Sequence, residues 1–495
     1  MGHRNLRGWS VALVAAAIIV LGSRHTWAQE TDAGLASFNQ GVQCYEGGQL
    51  AEARDAFTAA LEARPDDPTI LVWLGSVSLQ LGDTEAAIAN LRRSIELDPD
   101  YAVSYNNLGN AYLATGDLAA AGEQYQAALA KDPEYFDAQY NLANLYARQA
   151  QYEQAFNAYN RALEIRPDDF ETHVSFGHAL RKAGDPKALR EFEAAREINP
   201  QDANVQTILG TLFVKAGEWD SAVAAYEAAL AVNADIVEAH IGLGLALYNK
   251  GQAADAATHW TRAAELDPTS FAARYNQGLA YEALGDCAQA ATAYESALQI
   301  RPDDANTLNN LGSALHAQKR SAEAVDYFRR AIAANPALQV AHINLALALE
   351  AGEQPQEALA QWQDVTTRFP DSAAAHCGLG NLYYAQKDYE RALPAYLRCL
   401  ELEPANLEAH NNAGLIYFRQ NELAEAVVHF RAALETNPNY VYALNNLGVA
   451  LEKQDNLTEA LEQYRKALEI DPEYAPAKSN FERLQNKLGE AAATG

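Results

Sequence analysis

The stretch YNNLGNAY, Tyr105–Tyr112, sets a pattern that returns in altered form along most of the 495-residue chain. Counted from Gly34, a Leu-Gly or Leu-Ala step, an Ala, an aromatic residue, an Ala and a Pro come back every 34 residues. The register holds thirteen times if one loop residue is missing in the fifth repeat. A fixed period of this length is typical of arrays in which each repeat is one supersecondary unit.

Each repeat contains two segments with helical spacing. Apolar or small residues occupy positions 4, 7, 8 and 11 of the first segment and positions 20, 24, 27 and 28 of the second, as in amphipathic helices. Position 8 is Gly or Ala in every repeat, and position 24 is aromatic in all but one. These positions lie opposite each other in an antiparallel pair, so Gly109 leaves room for Tyr125. A larger residue would cost about 1–3 kcal/mol by overpacking.

This pattern resembles the tetratricopeptide repeat family over residues 34–474. The resemblance implies an all-α fold, a right-handed superhelical solenoid of about thirteen helix-turn-helix units. After the repeats, Phe481 and Glu482 stand where Leu-Gly is expected, so residues 475–488 are predicted to form a polar capping helix and residues 489–495 a flexible tail. The thirteen predicted repeats are 34–67, 68–101, 102–135, 136–169, 170–202, 203–236, 237–270, 271–304, 305–338, 339–372, 373–406, 407–440 and 441–474.

The first 28 residues have the features of a secretory signal peptide. A basic segment precedes an apolar run, Ser10–Leu21, and small residues stand before Gln29 where a signal peptidase would cut. We therefore expect residues 1–28 to be a signal peptide and the protein to be periplasmic or secreted. An inner-membrane anchor formed by residues 10–21 is the less favoured alternative, because the run is shorter than the roughly 18–20 residues that span a bilayer.

The exported part is strongly acidic. Without residues 1–28, which hold three arginines and no acid, 34 basic residues face 65 acidic ones, and the net charge is −31. Such a surface repels phosphate backbones and anionic head groups, so we expect no nucleic-acid partner and no strong binding to a membrane surface. The simplest explanation is that this negative charge keeps a long repeat array soluble.

A second stripe of the first helix, at positions 2, 5, 6, 9, 12 and 13, is not used by packing, and the family resemblance implies that it lines a concave groove. An Asn amide offers both a donor and an acceptor, which an extended peptide backbone needs. The stripe resembles the Asn ladder in the tetratricopeptide region of protein O-GlcNAc transferase, which holds substrate polypeptide. The predicted peptide-binding residues, called the Asn row below, are Asn106, Asn107, Asn110, Asn141, Asn144, Asn276, Asn309, Asn310, Asn344, Asn411, Asn412, Asn445 and Asn446.

An alternative role for the Asn row is structural. Asn at positions 6 and 9 is common in tetratricopeptide repeats and could serve to satisfy neighbouring polar groups. The row is also interrupted, and its longest unbroken run at position 6 is Asn276, Asn310 and Asn344. If a ligand follows the groove, repeats eight to ten are therefore its predicted binding site.

Four cations form a second candidate site at positions 12 and 13 of repeats four to six. An acidic or C-terminal carboxylate partner would dock on them; the alternative is salt bridging to acids such as Asp137 or Glu171. We call this group the basic stripe: Arg148, Arg181, Lys182 and Lys215.

The sequence offers no catalytic site. Histidines recur at position 4 (His173, His240, His342, His376 and His410), but ions cannot be shared by side chains on successive repeats, so we expect structural histidines, no metal and no cofactor. Cys377 and Cys399 should face each other across the eleventh helix pair. In an oxidising compartment they could form a disulfide, and a buried free thiol at Cys399 is the alternative.

These features predict an exported, non-enzymatic scaffold that binds an extended polypeptide or a partner helix in its groove, in envelope assembly or secretion. The second hypothesis is a substrate-binding subunit of a separately encoded glycosyltransferase. The partner is a protein or peptide on either hypothesis, and the sequence leaves its identity and the oligomeric state open.

Overall fold

A computed structural model gives the structure of residues 32–494, with side chains for residues 34–489. Within these residues the chain forms 27 α-helices joined by short turns and has no strand. The predicted all-α fold of repeated helix pairs is confirmed. The predicted signal peptide, residues 1–28, lies outside the described residues, and no described helix has both the length and the apolar composition that a membrane span requires.

The helices fall into two compact units that divide after Ala234. Odd-numbered helices are the first helices of the repeats, and even-numbered helices are the second. Unit 1 contains α1 (Asp32–Glu46), α2 (Leu50–Ala63), α3 (Pro68–Gln80), α4 (Thr84–Leu97), α5 (Ala102–Thr115), α6 (Leu118–Lys131), α7 (Phe136–Arg148), α8 (Tyr152–Ile165), α9 (Phe170–Ala183), α10 (Ala188–Ile198), α11 (Ala203–Ala216) and α12 (Trp219–Val232).

Unit 2 begins with the seventh repeat and ends with an unpaired helix. That helix, α27, continues through residues expected to form a flexible tail, where three alanines favour helix. The helices are α13 (Val237–Asn249), α14 (Ala253–Leu266), α15 (Phe271–Ala283), α16 (Cys287–Ile300), α17 (Ala305–Ala317), α18 (Ser321–Ala334), α19 (Gln339–Ala351), α20 (Pro355–Arg368), α21 (Ala373–Ala385), α22 (Tyr389–Leu402), α23 (Leu407–Arg419), α24 (Leu423–Thr436), α25 (Val441–Lys453), α26 (Leu457–Ile470) and α27 (Ala475–Thr494).

The helices of a pair nest through the small residue at position 8. A Cβ atom added to Gly109 would lie 2.6 Å from Cε1 of Tyr125, which is fully buried. Gly210 has the same relation to Tyr226, at 2.7 Å. Contacts this short would force the rings to move, so the small residue sets how closely paired helices approach.

Each turn between paired helices contains one residue with a left-handed backbone. In seven repeats it is Gly, for example Gly116 with φ 83°, which ends α5. Glycine adopts this conformation without steric cost, whereas other residues pay for it. The turns of the other six repeats place a non-glycine residue there: Ala150, Lys319, Glu353, Lys387, Asn421 and Asp455.

Acidic residues at the repeat boundaries begin many of the first helices. Asp169 Oδ2 accepts a hydrogen bond from the backbone N–H of Thr172 at 2.9 Å, and Asp304 Oδ1 accepts one from Thr307 at 2.9 Å. These N-caps satisfy backbone donors that have no partner inside the helix. Asp67 and Asp202 cap α3 and α11 in the same way, so an acid marks the start of these four first helices.

Candidate functional site

Hydrogen bonds link the Asn row from one repeat to the next. The Nδ2 of a position-6 Asn donates to the Oδ1 of the position-5 Asn in the preceding repeat: Asn141 to Asn106 at 2.9 Å, Asn344 to Asn309 at 3.0 Å, and Asn446 to Asn411 at 2.9 Å. In α27, Asn480 donates to Asn445 at 3.0 Å. These bonds tie neighbouring first helices together.

The position-5 members of the row are buried. Asn106 is 3% exposed, and Asn309, Asn411 and Asn445 are each 6% exposed. Three of them also donate to the next residue in the chain, as Asn309 Nδ2 does to Asn310 Oδ1 at 3.2 Å. We therefore correct the prediction of peptide contact for these four residues, because the stacking of repeats leaves them almost no surface for a ligand.

The position-9 members receive tyrosine hydroxyls. Tyr125 donates to Asn110 Oδ1 at 2.7 Å and Tyr159 to Asn144 Oδ1 at 2.6 Å. Asn381, at position 9 of the eleventh repeat but outside the predicted row, accepts from Tyr396 in the same way at 2.8 Å. Burial raises the pKa of each of these tyrosines. A buried Tyr needs such an acceptor, so the carbonyl ends of Asn110 and Asn144 are already engaged. The Nδ2 of Asn144 is buried and has no partner among the described residues.

Position-6 residues outside repeats eight to ten also have structural partners. Asn107 donates to Ser76 Oγ at 3.1 Å and accepts from Asn106. Asn412 donates to Tyr396 Oη at 3.2 Å and to Asn381 Oδ1 at 3.5 Å, and accepts from Asn411. Asn141 uses both Nδ2 hydrogens, on Asn106 and Asn110. Much of the row therefore performs the structural role that the sequence left as an alternative.

Repeats eight to ten keep more hydrogen-bonding capacity. Asn276, on α15, is half-buried and has no hydrogen-bond partner within residues 34–489. Asn310, on α17, donates only weakly, to Tyr275 Oη at 3.4 Å, and accepts from Asn309. Asn344, on α19, uses its two N–H groups on Asn309 Oδ1 and Ser313 Oγ, which leaves its Oδ1 unused. Donors and acceptors thus remain available along the first helices of three successive repeats.

Exposed apolar side chains flank the last of these helices. Val340 and Leu347, at positions 2 and 9 of α19, are 46% and 45% exposed. They lie four residues before and three residues after Asn344, so they share its helix face. A partner segment that reached the Asn344 amide would also meet apolar surface.

The basic stripe lies in unit 1, at the C-terminal ends of α7, α9 and α11. Its four side chains are exposed, and none has a carboxylate oxygen within 4.0 Å in the part of the chain that the structure describes. The salt bridges to Asp137 and Glu171, which the sequence left as the alternative, do not form. Those acids stand in the first turns of α7 and α9, about 15–17 Å along the helix from the cations.

Cys377 and Cys399 form a disulfide between α21 and α22, with their Cα atoms 5.4 Å apart. Cys399 is fully buried, whereas Cys377 stands at position 5, where four other repeats have Asn. Cys44 and Cys287 are free thiols and are partly buried.

The position-4 histidines contact the preceding loop. His173 Nε2 lies 2.8 Å from the carbonyl oxygen of Pro167. The same contact joins His376 to Pro370 at 2.9 Å and His410 to Pro404 at 3.0 Å. The other ring nitrogen of His173 contacts Glu191 at 2.8 Å, and that of His410 contacts His429 at 3.0 Å. Among the described residues, no three potential ligands converge as a metal site would require.

Comparison with known proteins identifies the family. A model described as tetratricopeptide repeat matches residues 106–170, 209–271, 275–338, 343–406, 377–440 and 411–475, and a model described as TPR repeat matches 75–116. The chain belongs to the tetratricopeptide repeat family. It is an α-solenoid repeat protein of the kind that serves as a protein–protein interaction scaffold, in a family whose members are typically non-catalytic.

Three solved structures match the chain at low identity and with TM-scores of 0.40 or below. The APC/C hetero-tetramer Cut9–Hcn1 is 15% identical and covers 85% of this chain and 97% of its own, with a TM-score of 0.40. Yeast Tom70 is 15% identical and covers 92% and 96%, with a TM-score of 0.38. MamA protein is 26% identical over 35% of this chain and 94% of its own, with a TM-score of 0.30. No curated protein sequence matches the chain.

Proposed function

We propose that the protein is an exported scaffold that holds an extended segment of a partner protein along Asn276, Asn310 and Asn344. The observation that carries this proposal is the Asn276 amide, which has no partner within residues 34–489, although most of the Asn row is bonded internally. A half-buried amide with unused donors and acceptors is a site where a ligand group can replace water.

The chemistry of the three amides suits a peptide backbone. Asn276 offers both a donor and an acceptor, Asn310 offers a donor, and Asn344 offers a carbonyl oxygen. An extended backbone presents alternating N–H and C=O groups regardless of its side chains, so it can pair with all three. The exposed Val340 and Leu347 add a preference for an apolar side chain near Asn344.

Export is the second part of the proposal. It is supported by the signal-like features of residues 1–28 and by the Cys377–Cys399 disulfide, since such bonds persist in oxidising compartments. In the periplasm a scaffold of this kind would serve envelope assembly or secretion. Cell fractionation tests this part directly, because a cytosolic, full-length product would contradict it.

Substitution of the three amides tests the groove. The variant carrying Asn276→Ala, Asn310→Ala and Asn344→Ala should capture less of the partner in pull-downs from a membrane fraction, while circular dichroism shows unchanged helix content. The matched control makes the same change at position 6 outside repeats eight to ten: Asn107→Ala, Asn412→Ala and Asn446→Ala. Equal capture by a folded triple variant and by the wild type would exclude the site.

The same pull-down separates the two functional hypotheses. Envelope-assembly proteins among the captured partners support a scaffold, whereas a co-purifying transferase supports a substrate-binding subunit of a glycosyltransferase. A long unbroken ladder would favour the subunit, but Gly242 and Gly378 interrupt position 6 in unit 2.

A further inference from the structure

Four exposed cations of unit 1 have no acidic partner. Arg148 ends α7, Arg181 and Lys182 lie in the last turn of α9, and Lys215 lies in the last turn of α11. Within the described residues, no carboxylate lies within 4.0 Å of any of the four; the one polar side-chain contact among them joins Arg181 Nη2 to His178 Nδ1 at 3.4 Å.

Several arginines on the second helices are paired with acids. Arg161 pairs with Glu164 at 2.7 Å, Arg262 with Asp235 at 2.8 Å and with Glu265 at 3.1 Å, and Arg398 with Glu401 at 2.8 Å. In a chain with 65 acidic and 37 basic residues, four exposed cations at the ends of three successive first helices form a local cluster of positive charge on an acidic surface.

The positive field of the basic stripe reaches a neighbouring histidine. Burial lowers the pKa of His178, and the charges of Arg181 and Lys182 lower it further. His178 is at position 9 of α9, on the same helix face as the cations. The lowered pKa favours the neutral form of His178, so the positive charge at this end of α9 comes from Arg181 and Lys182.

We propose that the basic stripe docks an acidic, extended segment of a partner protein, through carboxylates that bind the ends of α7, α9 and α11 in turn. This surface is separate from the Asn row of repeats eight to ten and goes beyond the function proposed above. Guanidinium and ammonium groups bind carboxylates through charge-assisted hydrogen bonds. Nucleic acid fits poorly, because a long phosphate backbone would also meet the surrounding acidic surface.

The spacing of the helices specifies the acidic segment. Packed helices lie about 8–10 Å apart, and an extended chain rises about 3.3 Å per residue. At the spacing of packed helices, about every third residue of an extended segment comes opposite a new helix end. A sequence with an acid at every third position is the ligand that the basic stripe should bind best.

Fluorescence anisotropy with a labelled peptide tests the proposal. The probe has Glu at every third residue and Ser elsewhere, and a second probe has Gln in place of Glu. The intact chain should bind the Glu peptide at low ionic strength, bind the Gln peptide at least about tenfold more weakly, and release the Glu peptide near 1 M salt, where the Debye length is about 3 Å.

Two charge-matched variants locate the site. The stripe variant carries Arg148→Gln, Arg181→Gln, Lys182→Gln and Lys215→Gln, and should bind the Glu peptide at least about tenfold more weakly. The control variant removes four paired cations of second helices: Arg161→Gln, Arg262→Gln, Arg398→Gln and Arg465→Gln. Both lose the same net charge, so a purely global electrostatic effect would weaken them equally.

Three results would overturn the proposal. They are equal binding of the Glu and Gln peptides, equal weakening in the stripe and control variants, and undiminished binding by the folded stripe variant. Circular dichroism of both variants establishes that they fold. Loss of the Asn276, Asn310 and Asn344 amides should leave this binding unchanged, so the two proposals fail separately.

Discussion

The Nδ2 of Asn344 donates to the Oδ1 of Asn309, 35 residues earlier in the chain, at 3.0 Å. The bond connects α19 to α17, and the donor is accessible to solvent whereas the acceptor is buried. Asparagines of the Asn row, which were predicted to face a ligand, thus also hold successive repeats together. The same geometry in four places makes it a regular part of the fold.

Substitution of the buried acceptor should destabilise the protein. In Asn309→Ala, the Asn344 amide loses an acceptor and Asn310 loses a donor, so we expect the free energy of unfolding to fall by about 1–2 kcal/mol. Urea denaturation followed by circular dichroism measures the change. Asn276→Ala is the control and should shift stability by less than about 0.5 kcal/mol, and equal effects of the two would contradict the structural role.

A large residue at position 8 should disrupt a helix pair. Any side chain at Gly278 meets the buried ring of Tyr294, so Gly278→Leu should cost about 3 kcal/mol through overpacking. Thermal unfolding measures the loss. Gly489→Leu is the matched control, because no atom lies within 4 Å of the added Cβ there. An unchanged melting temperature for Gly278→Leu would rule out the nesting of the small and aromatic positions.

The disulfide in the eleventh repeat should resist alkylation and add stability. Mass spectrometry of the non-reduced, alkylated protein should find Cys44 and Cys287 labelled and a cross-linked peptide containing Cys377 and Cys399. Closing a loop of this length should contribute about 3 kcal/mol, so Cys377→Ala with Cys399→Ala should lower stability by that amount. Dithiothreitol should destabilise the wild type and leave the double variant unaffected; alkylation at Cys399 without reductant would refute the bond.

The His173–Glu191 contact should make stability depend on pH. The Glu191 hydrogen bond is the main cause that raises the pKa of His173 above its usual value. The folded state therefore binds the proton more tightly than the unfolded state does. The resulting stabilisation of the fold is complete below about pH 6.5 and disappears as the pH rises through the raised pKa. Glu191→Gln should thus cost more stability in mild acid than at alkaline pH.

Urea denaturation at several pH values checks this sign. Glu193→Gln is the control on the same helix, because its carboxylate pairs with Arg196, which stays charged throughout. A loss in Glu191→Gln that is constant with pH, or that grows in alkali, would contradict the assignment.

The sequence predicted the fold because its period is regular, but it misplaced part of the Asn row. Positions 5, 6 and 9 share one helix face, and helical spacing alone cannot show that the next repeat covers position 5. A usable signal was present: each Asn at position 5 is followed 35 residues later by another Asn, as in Asn106 and Asn141 or Asn411 and Asn446. That pairing indicates a bond between repeats.

Whether the cations of the basic stripe have acidic partners also could not be predicted from the sequence. Asp137 and Arg148 belong to one helix, and the sequence left a salt bridge between them open as the alternative. The structure places the acid in the first turn and the cation in the last, where each interacts favourably with the helix dipole and not with the other. Solvent exposure and the lack of a partner depend on the neighbouring repeats, which composition does not describe.

The left-handed turns have a practical consequence for engineering. Six of them place Ala150, Lys319, Glu353, Lys387, Asn421 or Asp455 in a conformation that suits glycine, so each holds strain of up to about 1 kcal/mol. Because the six turns belong to different repeats, replacements by glycine should act independently. A thermostable version of the protein could therefore be assembled turn by turn, without altering any side chain that a partner would touch.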